Sequence, residues 1–175
     1  PPDTMAVVVL ALVAFYTVRL TRARDEALAE AARTERIQRF MTRLFEGGES
    51  EAAPAEDLRV ITLVERGVQE ARSLDAEPVV QAELYGTLGR IYQSLGELDR
   101  ADELLRSALT RRTTLLGVDH PDTAGSRIDL GLHRSDQAEY EEAEQLCRDG
   151  LATLERRLPD DHPTVANALA SLGHV

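Results

Sequence analysis

Leu88 to Ala124 reads LGRIYQSLGELDRADELLRSALTRRTTLLGVDHPDTA, and Leu130 to Ala166 reads LGLHRSDQAEYEEAEQLCRDGLATLERRLPDDHPTVA. Laid over one another at a shift of 42 residues, Leu88-Gly89 meets Leu130-Gly131, Ala101 meets Ala143, Leu104 meets Leu146 and Leu109 meets Leu151. Asp119-His120-Pro121 likewise meets Asp161-His162-Pro163, and one further shift brings Leu172-Gly173 into line. Agreement over so many positions at one period marks an internal repeat, and periods of roughly 20 to 50 residues belong to stacked supersecondary units.

Each unit reads as two antiparallel helices. In the first copy Leu84, Leu88, Ile91 and Leu95 recur at helical spacing, predicting a helix from Val79 to about Leu95. Gly96-Glu97 makes a short turn. A second helix follows from Leu98 to Leu116, with Leu98, Ala101, Leu105, Ala108 and Leu109 facing inward. Small Ala101 and Ala108 let neighbouring helices come close, and Gly89 serves the same end at a cost of about 1 kcal/mol relative to Ala. Pro121 suits a first helical position, where its missing N–H would be unpaired anyway, and Asp119 or His120 is placed to cap the exposed amides. The second copy departs at Arg134 for Tyr92, Ala138 for Gly96 and Gly150 for Ala108, which predicts a looser unit.

Upstream, Asp57 starts a helix running to about Leu74, with Leu58, Ile61, Leu63, Val64 and Val68 on its buried side and a turn at Asp75 to Pro78. Its position ahead of the repeats predicts a cap over their first apolar face. Gly47 to Glu56, GGESEAAPAE, is a small-residue acidic linker. Before it, Arg19 to Glu46 contains no Pro or Gly, so one helix is expected there, with Ile37, Phe40, Met41 and Leu44 on a single stripe. That stripe calls for a partner, either the next helix or a second copy of the chain.

Met5 to Val18, MAVVVLALVAFYTV, is uncharged and almost wholly apolar. Its fourteen residues would span about 21 Å as a helix, short of the roughly 30 Å hydrocarbon core. A transmembrane helix is the reading taken, over a buried core helix and over a signal peptide, for which neither a basic leader nor a cleavage pattern is present. Arg19, Arg22 and Arg24 would place the following residues on the cytoplasmic side. The chain opens on Pro1 and stops inside a repeating pattern, so it reads as a piece of something longer.

Composition agrees with stacked helices: 43% hydrophobic residues but only 4% aromatic, and no Trp. The net charge of −11 is uneven. Arg19 to Glu46 holds seven Arg against five acids, whereas Gly47 onward holds thirteen against twenty-five. An acidic repeat region repels phosphate backbones, which argues against nucleic acid and favours basic or neutral protein partners. The single Cys147 forms no internal disulfide and reads as a core filler. His120 and His162 stand one period apart, each with a sufficient structural role at a helix start, so no metal site is expected. His133-Arg134-Ser135-Asp136 lacks the spacing of a kinase catalytic loop and falls mid-helix. No nucleotide-binding loop, hydrolase elbow or zinc-protease motif occurs, so neither catalytic residues nor a cofactor is expected in this chain.

The two copies quoted above resemble tetratricopeptide repeats, in the long form found in kinesin light chains and many bacterial regulators. The resemblance implies an all-α fold, an α-solenoid of helix-turn-helix repeats, here preceded by the long N-terminal transmembrane helix. The chain divides into the membrane helix (1–18), a juxtamembrane stalk (19–46), the linker (47–56), the capping helix (57–78), repeat 1 (79–120), repeat 2 (121–162) and the first helix of a third (163–175). In such arrays first helices line a concave groove that binds protein or peptide. Here Glu83, Arg90, Gln93, Ser94, Asp129, Leu132, Ser135, Asp136, Asn167 and His174 are assigned to that groove. Kinesin-light-chain-like members often clamp a peptide backbone with Asn just before the Leu-Gly pair. Those places hold Gly86-Thr87, Ile128-Asp129 and Ala170-Ser171, so that clamp is missing. The order of parts, with the Leu44-Phe45-Glu46 stretch, is similar to the C-terminal half of bacterial membrane-anchored serine/threonine kinases. That similarity implies a non-catalytic docking or sensing module on a single-pass inner-membrane protein. A tethered adaptor without a kinase and a soluble nucleotide-switch regulator are the alternatives.

Overall fold

The computed structural model describes residues 15–21, 24, 28, 31, 34–40, 42, 60–159, 161–173 and 175. The chain divides into two compact segments, Pro1–Phe45 and Glu46–Val175. In the first, every described residue is helical. Phe15, Tyr16, Val18 and Leu20 are exposed there, whereas Phe40 is buried and Ile37 half-buried. Met41 and Leu44 of the expected stripe, and residues 5–14 of the apolar run, lie outside the described residues. Among the described residues, no helix is long and apolar enough to cross a membrane.

Among the described residues, the Glu46–Val175 segment holds six helices: α1 (Val60–Arg72), α2 (Pro78–Ser94), α3 (Leu98–Leu116), α4 (Pro121–Asp136), α5 (Tyr140–Arg157) and α6 (Pro163–Leu172). The pairs α2–α3 and α4–α5 make the most extensive contacts, and α1–α2, α3–α4 and α5–α6 join them in chain order. First helices also touch across units, α2 with α4 and α4 with α6.

The punctuation of the sequence explains the helix ends. His120 and His162 cap α4 and α6: each Nδ1 accepts the backbone N–H two residues on, from Asp122 at 3.1 Å and Thr164 at 3.2 Å, with Pro in the first turn. Asp119 instead pairs with Arg156 at 3.1 Å. At the end of α2 the Glu97 N–H reaches the Tyr92 carbonyl at 3.0 Å, and at the end of α4 the Glu139 N–H reaches that of Arg134 at 2.9 Å. This closure needs a left-handed residue between, which is Gly96 (φ 78°) in the first unit and Ala138 (φ 62°) in the second.

Packing refines the expected faces. On α3 the inward stripe is Ala101, Leu104, Leu105 and Ala108, while Leu98 and Leu109 are half-buried; Leu95, just past the end of α2, is exposed. The stripe is set by the i, i+3, i+4, i+7 rows, which put Leu104 beside Leu105 on the inward face and leave Leu98 and Leu109 at its margins. Gly89 and Gly131 lie so close to the facing helix that a Cβ would meet Leu105 Cγ at 2.8 Å and Cys147 Sγ at 2.7 Å, respectively. This accounts for the recurring Leu-Gly.

At its Gly150 departure the second repeat is closely packed. Gly150 sits against Ile128, and a Cβ there would come within 2.6 Å of Ile128 Cγ1 and 2.9 Å of the Ala124 carbonyl. The matching place in the first unit pairs Gly86 with Ala108, where a Cβ on Gly86 would meet the Ala108 Cβ at 3.9 Å. Small against small has become large against glycine.

In α1 the buried residues are Val64, Gly67, Val68 and Ala71, with Ile61 and Leu63 half-buried; Leu58 lies outside the described residues. Their spacing is that of Ala101, Leu104, Leu105 and Ala108, so α1 packs as a second helix would. Buried Gln81 ties α1 to α2, its Nε2 donating to the Ala71 carbonyl at 2.9 Å.

Candidate protein-binding face

The face formed by α2, α4 and α6 carries most of the residues assigned to it, but several of them satisfy one another. Arg90 Nη1 donates to Asp129 Oδ2 at 2.7 Å, and Gln93 Nε2 donates to Asp136 Oδ2 at 2.5 Å, so two polar bridges cross from α2 to α4. Thr87, which was not assigned to the face, accepts from Arg90 Nη2 at 3.4 Å. The Arg90 side chain stays 50% exposed, whereas that of Asp129 is only 18% exposed. Burial therefore pushes the Asp129 carboxyl above the ordinary carboxylate value, more than the attraction of Arg90 and Arg112 pulls it down.

The remaining assigned residues divide by environment. Ser94 is exposed, yet its hydroxyl donates to the Ile91 carbonyl of its own helix at 2.8 Å. Glu83 and Ser135 are half-buried, and Asp136 and Asn167 are exposed. Leu132 is half-buried and packs against the cluster of Ala124, Ile128, Cys147, Leu151, Leu154, Val165 and Ala168, so it also serves the core. His174 lies outside the described residues.

Two side chains that the face does not use stand out beside it. His133 and Arg134 are 0% and 3% exposed, and Arg134 Nη2 lies 2.7 Å from Asp102 Oδ1 on α3. They occupy the last turn of α4, rather than its middle, within the His133-Arg134-Ser135-Asp136 stretch. Periodicity alone treats them as a departure from the first copy. The signal that finds them is charge at a place where the first copy has Ile91 and Tyr92, because a charge is buried only where partners neutralise it. Cys147 is buried, and burial pushes its thiol up, the opposite of what a nucleophile needs.

Residues 80–156 match the family profile described as tetratricopeptide repeat. The tetratricopeptide region thus covers both helix pairs and the bridges between α2 and α4. Twenty-seven solved chains match as well. Among them, the crystal structure of BtubC (BKLC) from P. vanneervenii has a TM-score of 0.55 at 22% identity, over 64% of this chain and 44% of that one. At that identity the likeness shows the fold, and the chain spans less than half of that protein. No curated protein sequence matches.

Proposed function

We propose that the tetratricopeptide region is a docking module that takes a basic or neutral polypeptide segment along the face of α2, α4 and α6. The observation that carries this is the pair of bridges, Arg90–Asp129 and Gln93–Asp136, which hold polar groups of successive first helices in one fixed row. One bridge is an ion pair with a half-exposed guanidinium and the other an exposed amide–carboxylate hydrogen bond, and such contacts add little stability, so their geometry is better suited to presenting donors and acceptors than to holding the fold. Glu83, Asp129 and Asp136 outnumber Arg90, which favours a basic segment.

Peptides selected from a random library against the full chain test the proposal. Arg90→Glu together with Asp136→Arg should weaken selected peptides about tenfold or more, equivalent to ~1.4 kcal/mol. Equal binding to both proteins would remove the site from this face.

The finer reading attaches this module to a membrane-anchored serine/threonine kinase. The apolar run from Met5, the arginine-rich stretch after it and the exposed Phe15, Tyr16, Val18 and Leu20 favour a lipid anchor. Quantitative recovery of the full chain in detergent-free buffer would sink the anchor. Sequence upstream of Pro1 carrying a kinase catalytic loop, a nucleotide-binding loop or neither separates the kinase, regulator and adaptor readings.

A further inference from the structure

The joint between α3 and the α4–α5 pair is built from buried charge. Arg134 reaches Asp102 on α3 at 2.7 Å, Glu139 in the following turn at 3.2 Å and Glu142 on α5 at 3.4 Å, and its Nη1 also donates to Gln137 Oε1. Asp102 is shared, because its other oxygen accepts from Arg106 Nε at 2.8 Å. Burial pushes the Asp102 carboxyl up, but Arg106 and Arg134 together outweigh it and hold the group below its usual value. Beside this cluster lies His133, wholly buried, its Nε2 3.7 Å from Asp102 Oδ1 and neither ring nitrogen in a hydrogen bond. In the first unit the same two places hold Ile91 and Tyr92, so the equivalent seam there carries no ionisable imidazole.

We propose that this joint is acid-sensitive: a proton on His133 loosens α4 and α5 from α3 and disturbs the row of groups on the first-helix face. The nearest carboxylate, Asp102, is already divided between two guanidinium groups, and Glu139 and Glu142 are engaged by Arg134. A charged imidazole would therefore enter a dry site next to Arg134, where the oxygen nearest to it, Asp102 Oδ1 at 3.7 Å, is shared with that guanidinium; Asp136, on the same helix, is exposed and engaged by Gln93. Desolvation, the largest influence, together with Arg134 holds the imidazole below its ordinary value against the pull of Asp102, Asp136 and Glu139. The unfolded chain thus takes the proton first. Stability from this group is complete above about pH 6.5 and is lost as the pH falls toward the folded value, by at most about tenfold in the folding constant per pH unit. Because α4 carries Asp129 and Asp136, loosening it moves one half of each bridge on the face.

The full chain is followed between pH 5.0 and 7.5 by the ring proton signal of His133 and by amide exchange in α3, α4 and α5. The expected result is an imidazole that titrates below its ordinary value, with exchange in α4 and α5 rising in step. His133→Ile, which installs the residue of the first unit, should remove most of that rise; His120 and His162 remain in it as controls. An imidazole titrating at or above its ordinary value, or an acid response unchanged in His133→Ile, overturns the proposal. If the variant does not fold, the wild-type titration still decides. The effect on the face rests on the docking reading and is measured separately, as the affinity of a selected peptide at pH 5.5 and 7.5. Peptides that fail to bind at either pH refute that reading and leave the joint to its own two measurements.

Discussion

At the scale of single residues, the exchange of Gly86 and Ala108 for Ile128 and Gly150 is a matched change in volume. Ile128 is 7% exposed and lies where a Cβ at 150 would intrude, with the Ala124 carbonyl closing the other side. Gly150→Ala should therefore destabilise the protein by about 1–3 kcal/mol, although alanine is the first unit's own residue and the better helix former. Ile128→Ala should also destabilise, by emptying space. Combined, the two changes should cost less than their sum, because each relieves the fault of the other. Urea unfolding midpoints of the two single variants and the double variant check this, and simple additivity would show that the two side chains do not share one space.

At the scale of helices, the starts of α4 and α6 were legible because Asp-His-Pro has a local meaning, but which side chain caps was not. Spacing offered Asp119 or His120, and the folded backbone decides for the imidazole while Asp119 turns to Arg156. His120→Ala should cost about 1 kcal/mol and His120→Asn much less, read as shifts in thermal midpoint. Equal losses would show that the cap adds nothing. The helix pairs and the tight Leu-Gly contact were likewise readable, since a 42-residue period fixes them twice. Less readable was α1, whose buried spacing matches α3 only at a shift of 37 residues, from Val64 to Ala101 and from Ala71 to Ala108. It ends at Arg72, just after Ala71, whereas α3 runs on from Ala108 to Leu116, so no 42-residue comparison aligns them. The core contact of Leu132 was not readable for a different reason. Helical spacing places a side chain on a face, but only the neighbouring unit tells whether that face meets solvent or another helix.

Across the Glu46–Val175 segment as a whole, each described helix touches only those one or two places away in the chain. Such an array behaves as a row of neighbours, in which a local fault spreads to the adjoining pair and fades beyond it. In the Gly150→Ala variant, amide exchange should quicken in α4, α5 and α6 while α1 and α2 keep protection closer to that of the parent. Uniform quickening from α1 to α6 would mean that the row opens only as one body. The volume exchange at 86, 108, 128 and 150 carries a consequence for how such a chain can be recombined. A graft of α4 alone onto α3 would press Ile128 against Ala108, and a graft of α5 alone onto α2 would face two glycines across a gap. Crossovers that respect the hairpin keep each bulky residue with its own glycine, so the heritable, tradeable part of this protein is the pair of helices and never the single one.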